Sequence, residues 1–171
     1  PYLKFKFKDA DKIEKNFSES YQDMFVLTML NGKKNGTYFE IGSGDAFFGS
    51  NTALLEQLGW KGTSLEIKEK EVIKFRNHRK NEVILCDATQ FDYSILNGHI
   101  DYLQIDCEPP TTTYKILTMI PFENCSFGVI TFEHDYYADV TRSIKHKSRK
   151  YLLDKGYLLL ASNISPNDTN S

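Results

Sequence analysis

The 171-residue chain carries 21 Lys and Arg against 23 Asp and Glu, a net charge of −2, and is 40% hydrophobic and 13% aromatic. That length fits one domain of roughly 100–200 residues, and the apolar content supports a buried core and excludes a disordered chain. The near-neutral charge argues against a general polyanion binder, whose footprint on phosphates needs a basic surplus, and no apolar run is long enough to span a bilayer.

Pro1 in place of Met is what a processed or partial chain is expected to show, and no signal peptide is visible. Residues 9–30 then read as mainly helical, with Ile13, Phe17, Tyr21, Met24, Phe25, Leu27 and Leu30 at helix-like spacing. Asn31-Gly32-Lys33-Lys34-Asn35-Gly36 is a turn, and Thr37–Ile41 a short buried strand. Ser50 or Asn51 can cap a helix carrying Ala53, Leu54, Leu55 and Leu58, with Gly59 as its stop. Thr63–Ile67 is the second strand, and Glu69–His78 a helix with Val72, Ile73 and Phe75 expected inward. Glu82–Cys86 is strand, Asp92–Leu96 one helical turn, Ile100–Asp106 strand, and Thr112–Ile120 a helix stopped by Pro121. Phe127–Glu133 is strand, Asp139–Lys155 helix ended by Gly156, and Tyr157–Ala161 a last strand.

Strands spaced by helices imply βαβ units, right-handed crossovers and a mainly parallel sheet with helices on both faces. In such a sheet the ligand site lies beyond the carboxyl ends of the strands. The three cysteines, Cys86, Cys107 and Cys125, show neither CxxC nor zinc spacing and read as reduced thiols of a cytoplasmic protein.

The first strand ends in Glu40-Ile41-Gly42-Ser43-Gly44-Asp45-Ala46. Glycines there let the backbone turn and approach a ligand. An acid two positions before the first glycine repels a pyrophosphate and attracts an amino group or a sulfonium. A dinucleotide fingerprint wants a third glycine at position 47, which is Phe, so an adenosyl ligand without phosphates fits better than NAD. The alternative is an ordinary Gly-rich turn. Glu66 ends the second strand at the spacing of a ribose-binding acid. Asp87 and Ala88 end the third, where Asp87 either accepts from an adenine amino group or closes an Asx turn. Asp106 and Glu108 follow the fourth strand, and Glu133, His134 and Asp135 lie at the end of the fifth. Acids at five successive strand ends converge on one cleft.

The segments EIGSGDA, SLEI, CDA, YLQIDCEPP, VITFEH and LLDKGYLLL, in this order from about Thr37 to Ile164, resemble the FkbM-type methyltransferases that use S-adenosylmethionine. Tyr21-Gln22-Asp23 resembles the QD pair that often precedes the first strand there. The resemblance implies a Rossmann-like methyltransferase sandwich over 36–164, preceded by a helical segment over 1–35 and followed by a loose polar tail over 165–171. It implies that Glu40, Gly42, Ser43 and Gly44 hold the methionine end of the cofactor, with Asp45 and Asn51 in the same set. Glu66 would take the ribose, Ile67 would flank the adenine, Asp87 and Ala88 would bind its edge, and Asp106 would face cofactor or acceptor. Ala46 stands where the third motif glycine is usual, and the family continues past Ile164 with a final antiparallel strand, so an exposed sheet edge is expected.

The implied reaction is O-methylation of a small-molecule or sugar-like acceptor. A hydroxyl acceptor needs a base: His134 is favoured by its intrinsic pKa, with Asp106, Glu108 and Glu133 as carboxylate candidates. A histidine held by Glu133 or Asp135 is the structural alternative. The acids can also be read as oxygen ligands for Mg²⁺, but no spacing demands a metal. Glu108-Pro109-Pro110-Thr111 echoes the motif of amino-group methyltransferases acting on nucleobases, but Thr111 cannot stack on a base. The basic run Arg142, Lys145, His146, Lys147, Arg149 and Lys150 reads as a solvated helix face, so nucleic acid ranks behind a small acceptor. A methyltransferase-like domain that binds without catalysis shares the same glycine motif. Neither acceptor identity nor oligomeric state is written in the sequence.

Overall fold

The structure is a computed structural model, which describes residues 6–135, 138–139, 142–162 and 164. Among the described residues five strands form one sheet: β1 (Thr37–Ile41), β2 (Lys61–Glu66), β3 (Glu82–Leu85), β4 (Gly98–Ile105) and β5 (Cys125–Phe132). Their order is β3-β2-β1-β4-β5 and every pairing is parallel. The chain therefore winds outward from β1 to β3, then returns to the other side of β1 for β4. That reversal puts the switch point between the carboxyl ends of β1 and β4.

Parallel strands buried on both faces need helices on both sides. Along β1, Tyr38 and Glu40 face one layer and Phe39 and Ile41 the other, as the period of two requires. The Tyr38 side packs on α1 (Gln22–Met29) and α2 (Ala53–Gln57) through Val26, Leu27, Leu54 and Leu55, with Trp60 and Tyr102 filling the space between. The Phe39 side packs on α4 (Pro110–Met119) through Ile116 and Leu117, and Tyr151 and Leu152 of α5 (Ile144–Asp154) close that layer. Helix α3 (Glu69–His78) covers β3 through Val72 and Phe75 against Val83.

Three sequence expectations are corrected. Residues 9–30 are not one helix: only Ala10–Lys12, as a 3-10 turn, and α1 are helical. The buried Asp23 competes with helix formation. Its carboxylate accepts from Phe17 N at 2.8 Å and from the Ser18 hydroxyl at 2.6 Å, which folds residues 17–20 back over the start of α1, and Tyr21 takes a left-handed φ of 59°. Within the predicted span from Asp139, the helix starts only at Ile144, whose N–H donates to Asp139 Oδ2 at 2.7 Å; residues 140 and 141 lie outside the described residues. Tyr157–Ala161 forms no strand, because among the described residues no strand lies beside it. Instead the Tyr157 hydroxyl accepts the Phe127 N–H of edge strand β5, and Leu158 is 80% exposed. The tail over 165–171 lies outside the described residues.

Smaller differences follow the same physics. Ile73 points outward, 54% exposed, because Val72 and Phe75 already fill the contact with β3. Asp87 and Asp92 each accept a backbone N–H two residues on and start short 3-10 turns, of which only the second was legible.

Ile105→Ala, at the fully buried end of β4, is expected to lower unfolding free energy by about 2–5 kcal/mol. Ile73→Ala is expected to stay within about 0.5 kcal/mol of the native protein in the same urea titration.

Candidate functional site

At the switch point the β1 backbone turns sharply. Gly42 has a φ of 83° and its N–H donates to Leu65 O at 2.9 Å, while Asp106 N donates to Ile41 O at 2.9 Å. A Cβ on Gly42 would collide with the Asp106 carbonyl, so the first motif glycine is fixed by the close approach of β1 and β4. Gly44 differs: its φ is 57°, yet a Cβ there would meet no atom within 4 Å. It leaves open space above the loop.

Glu66, buried at the end of β2, clasps this loop. One carboxylate oxygen accepts Gly44 N at 2.8 Å and the other Lys68 N at 2.7 Å. A carboxylate has about four acceptor positions, so two backbone donors leave capacity for two more. Ile67 follows, 63% exposed, an apolar side chain at the rim beside that carboxylate.

Glu40 lies beneath the loop and is wholly buried. The Thr52 hydroxyl sits 2.9 Å from both of its oxygens, and the Ser64 hydroxyl donates to Oε2 at 2.6 Å. Burial pushes the Glu40 pKa up, while the charge of Arg79 and the two hydroxyls pull it down. Arg79, at the end of α3, has a side chain only 2% exposed and was missed in the sequence. It donates to Glu56 Oε2 at 2.9 Å, Ala46 O at 3.3 Å, Ser50 Oγ at 3.2 Å, Tyr38 OH at 3.4 Å and Thr52 Oγ1 at 3.0 Å.

The remaining expected cofactor residues take distinct positions. Asp45 is partly exposed, pairs with Lys74 and accepts Phe47 N and Phe48 N, which hold its carboxyl down at about 2. Asp87 accepts Thr89 N at 2.8 Å, the Asx turn that the sequence left open, and this backbone bond lowers its pKa. Ala88 begins the 3-10 turn and its carbonyl accepts from the Tyr93 hydroxyl at 2.9 Å. Ser43 and Asn51 are buried, and Ser43 Oγ and Asn51 Oδ1 have no hydrogen-bond partner among the described residues. Gln104 Oε1 is equally unpartnered; it sits on β4 between Glu40 and Thr131 and also escaped the sequence reading.

The acids after β4 and β5 divide. Asp106 and Glu133 follow adjacent strands, joined where Glu133 N donates to Ile105 O at 3.0 Å, and their side chains share a hydrogen bond. Burial first, then Glu133, Glu40 and Glu108, raise the Asp106 pKa to about 9, so at neutral pH this carboxyl holds a proton. His134 is half-buried, with Nδ1 unpartnered among the described residues. Burial, then Arg149 and Lys145, lower its pKa and keep the ring neutral. Glu108 is exposed at the rim. Cys107, just after β4, is a thiol that burial pushes up to about 12. Among the described residues no group of three or more His, Cys, Asp or Glu is arranged to hold a metal ion.

Neither a family model nor a curated protein matches the chain. Solved structures do. A TehB-like SAM-dependent methyltransferase from Corynebacterium glutamicum aligns with a TM-score of 0.51 at 8% identity, over 83% of this chain and 76% of that one. A Pyrococcus horikoshii protein aligns with a TM-score of 0.48 at 17% identity, over 86% and 70% of the two chains. The plantazolicin methyltransferase BpumL in complex with SAH aligns with a TM-score of 0.48 at 14% identity, over 84% of this chain and 58% of that one. The five-stranded parallel sheet is thus of the Rossmann-like methyltransferase fold.

A carboxyl whose pKa is raised by folding keeps its proton while the unfolded chain loses its own. Stability is then full below the ordinary value of 3.8 and is lost as pH rises toward about 9. Asp106→Asn removes that loss, so its stability relative to the native protein is expected to improve from about pH 5 to about pH 8 in paired urea titrations. A difference independent of pH would place Asp106 in its ordinary ionised state.

Proposed function

We propose that the chain is a methyltransferase that binds S-adenosylmethionine and methylates a hydroxyl of a small-molecule or sugar-like acceptor, as a member of the FkbM-type branch and in the cytoplasm. The carrying observation is the set of buried polar atoms unpartnered among the described residues, Ser43 Oγ, Asn51 Oδ1 and Gln104 Oε1, on β4 and on the loop that holds Gly42 and Gly44 and is clasped by Glu66. Buried polar groups are nearly always hydrogen-bonded, so such a group marks where a ligand completes the network. The fit is chemical as well. Open space over Gly44 admits a ligand close to backbone, Glu66 keeps acceptor capacity for a diol, and Ile67 offers an exposed apolar side chain for a ring. Asp87 and Ala88 stand at the third strand end, in place for the adenine edge. Phe47, where a dinucleotide site would need glycine, packs between Phe17 and His78.

When bound, the cofactor supplies an electrophilic methyl carbon on a sulfonium. The protein's part is alignment and removal of the acceptor proton. His134, held neutral with Nδ1 unpartnered among the described residues, takes that proton; the Asp106–Glu133 pair, with one proton between them, donates it to a lone pair of the hydroxyl oxygen and so fixes its direction. Glu108 at the rim adds negative potential. Among the described residues no helix is long and apolar enough to cross a membrane.

S-adenosylhomocysteine is expected to raise the melting temperature in proportion to the logarithm of its concentration, as a ligand of the native state must. Glu66→Gln is expected to weaken that binding by about 1–3 kcal/mol, while Glu69→Gln leaves it unchanged. No thermal shift at saturating ligand with the fold intact overturns the cofactor assignment. His134→Ala is expected to slow single turnover by roughly 10²–10⁴-fold with ligand affinity retained, once an acceptor is in hand. Affinity and stability falling together would make His134 structural.

A further inference from the structure

We propose that Arg79 is a positioning residue for the cofactor loop: it holds residues 46–52 from behind and, through Thr52, orients the Glu40 carboxylate beneath Gly42. This rests on the S-adenosylmethionine reading above and adds a residue to it that lies outside every strand-end motif.

The bonds have a direction. Arg79 Nη1 donates both to the Ala46 carbonyl and to Ser50 Oγ, and Ser50 Oγ also accepts Ala53 N at 3.1 Å, so one guanidinium nitrogen pins the loop where it enters α2. Nη2 donates to Thr52 Oγ1. A hydroxyl has one proton, and an oxygen that accepts from Arg79 is left to direct that proton at Glu40, which lies 2.9 Å away at both oxygens. On the far side, Nε meets Glu56, whose other oxygen accepts Lys80 N at 2.6 Å. The ring of Phe75 lies 4.3 Å from the guanidinium carbon and fixes its plane. Only a planar fork of donors serves loop, helix and strand at once; a lysine ammonium cannot.

Charge makes the arrangement more than a strut. Glu40 is buried with Glu66 from β2 acting on it as a like charge, and with the phenols of Tyr38 and Tyr102 nearby. Arg79 is the cation that offsets that charge. Without it, burial and the Glu66 charge push the Glu40 pKa further up, and a protonated Glu40 adds an O–H donor where the Thr52 and Ser64 hydroxyls already donate.

The test is calorimetric titration of S-adenosylhomocysteine into the native protein and three variants at about pH 6 and about pH 8, alongside melting curves. The native protein binds at both values; failure there overturns the cofactor reading itself, before any variant is considered. Arg79→Met and Thr52→Val are expected to lose on the order of tenfold or more in affinity at the lower pH and to recover part of it at the higher one, as Glu40 ionises. Glu56→Gln, which loosens Arg79 from the other side but leaves Thr52 in place, is expected to melt earlier yet keep the native ratio of affinities between the two pH values. Should Arg79→Met fail to fold, Thr52→Val decides: native affinity and native pH ratio in that variant overturn the proposal. An equal loss at both pH values in Arg79→Met with Thr52→Val unaffected does so too, because Arg79 would then serve stability alone.

Discussion

The backbone of Gly42 lies so close to the Asp106 carbonyl that no side chain fits between them. Most of the site follows from this constraint. It arises because β1 and β4 are neighbours in the sheet but far apart in the chain, so their exits must diverge from one point. The β1 exit escapes through two left-handed glycines, and the β4 exit turns toward α4. Residues 40, 66, 104 and 106 stand at or next to the strand ends that meet there. A glycine fixed by a carbonyl on the next strand is a different object from a glycine left free, such as Gly44, whose Cβ position is empty. The first shapes the protein; the second leaves room beside it.

Carboxylates crowded at strand ends repel one another, and the structure offsets each by a different means. Glu40 uses two hydroxyls and the charge of Arg79. Glu66 uses backbone N–H groups. Asp45, nearer water, uses Lys74. Asp106 is raised by burial first, then by Glu133, Glu40 and Glu108, and shares a proton with Glu133 instead. Three acids thereby have their carboxyl oxygens engaged by the surrounding structure. The fourth shares a proton with its partner near neutral pH, and that partner, Glu133, precedes the neutral ring of His134.

What the sequence made legible follows from what alternation and glycine can report. β1 and α3 were read to the residue, because a short apolar run between a turn and a glycine motif, or an apolar pair amid charges, admits one reading. The acids at the strand ends were legible for the same reason: each ends an apolar run. Arg79 was not, since one arginine in Arg76-Asn77-His78-Arg79-Lys80 carries no mark of burial. Gln104 was hidden inside the strand run that ended at Asp106. Leu158, Leu159 and Leu160 read as strand because β propensity is local, but a strand exists only beside another, and none adjoins them among the described residues.

The stretch that most defeated helical periodicity also bears on the site. Residues 13–20 have the spacing of a helix, yet Asp23 draws the Phe17 and Ser18 backbone toward its own carboxylate. The irregular path that results sets the Phe17 ring 5.8 Å from Phe47 and brings the Glu19 side chain against Gly49. On its other side Phe47 meets His78, the residue before Arg79. The glycine loop is therefore held between an N-terminal segment and the end of α3, two elements that a sequence reading confined to the strand ends does not connect. A continuous helix over 9–30 would satisfy its own backbone and leave Phe47 without that ring. Asp23 exchanges local helix for a wall behind the loop, and the misread segment and the missed arginine turn out to serve the same eight residues, 44–51, from opposite sides.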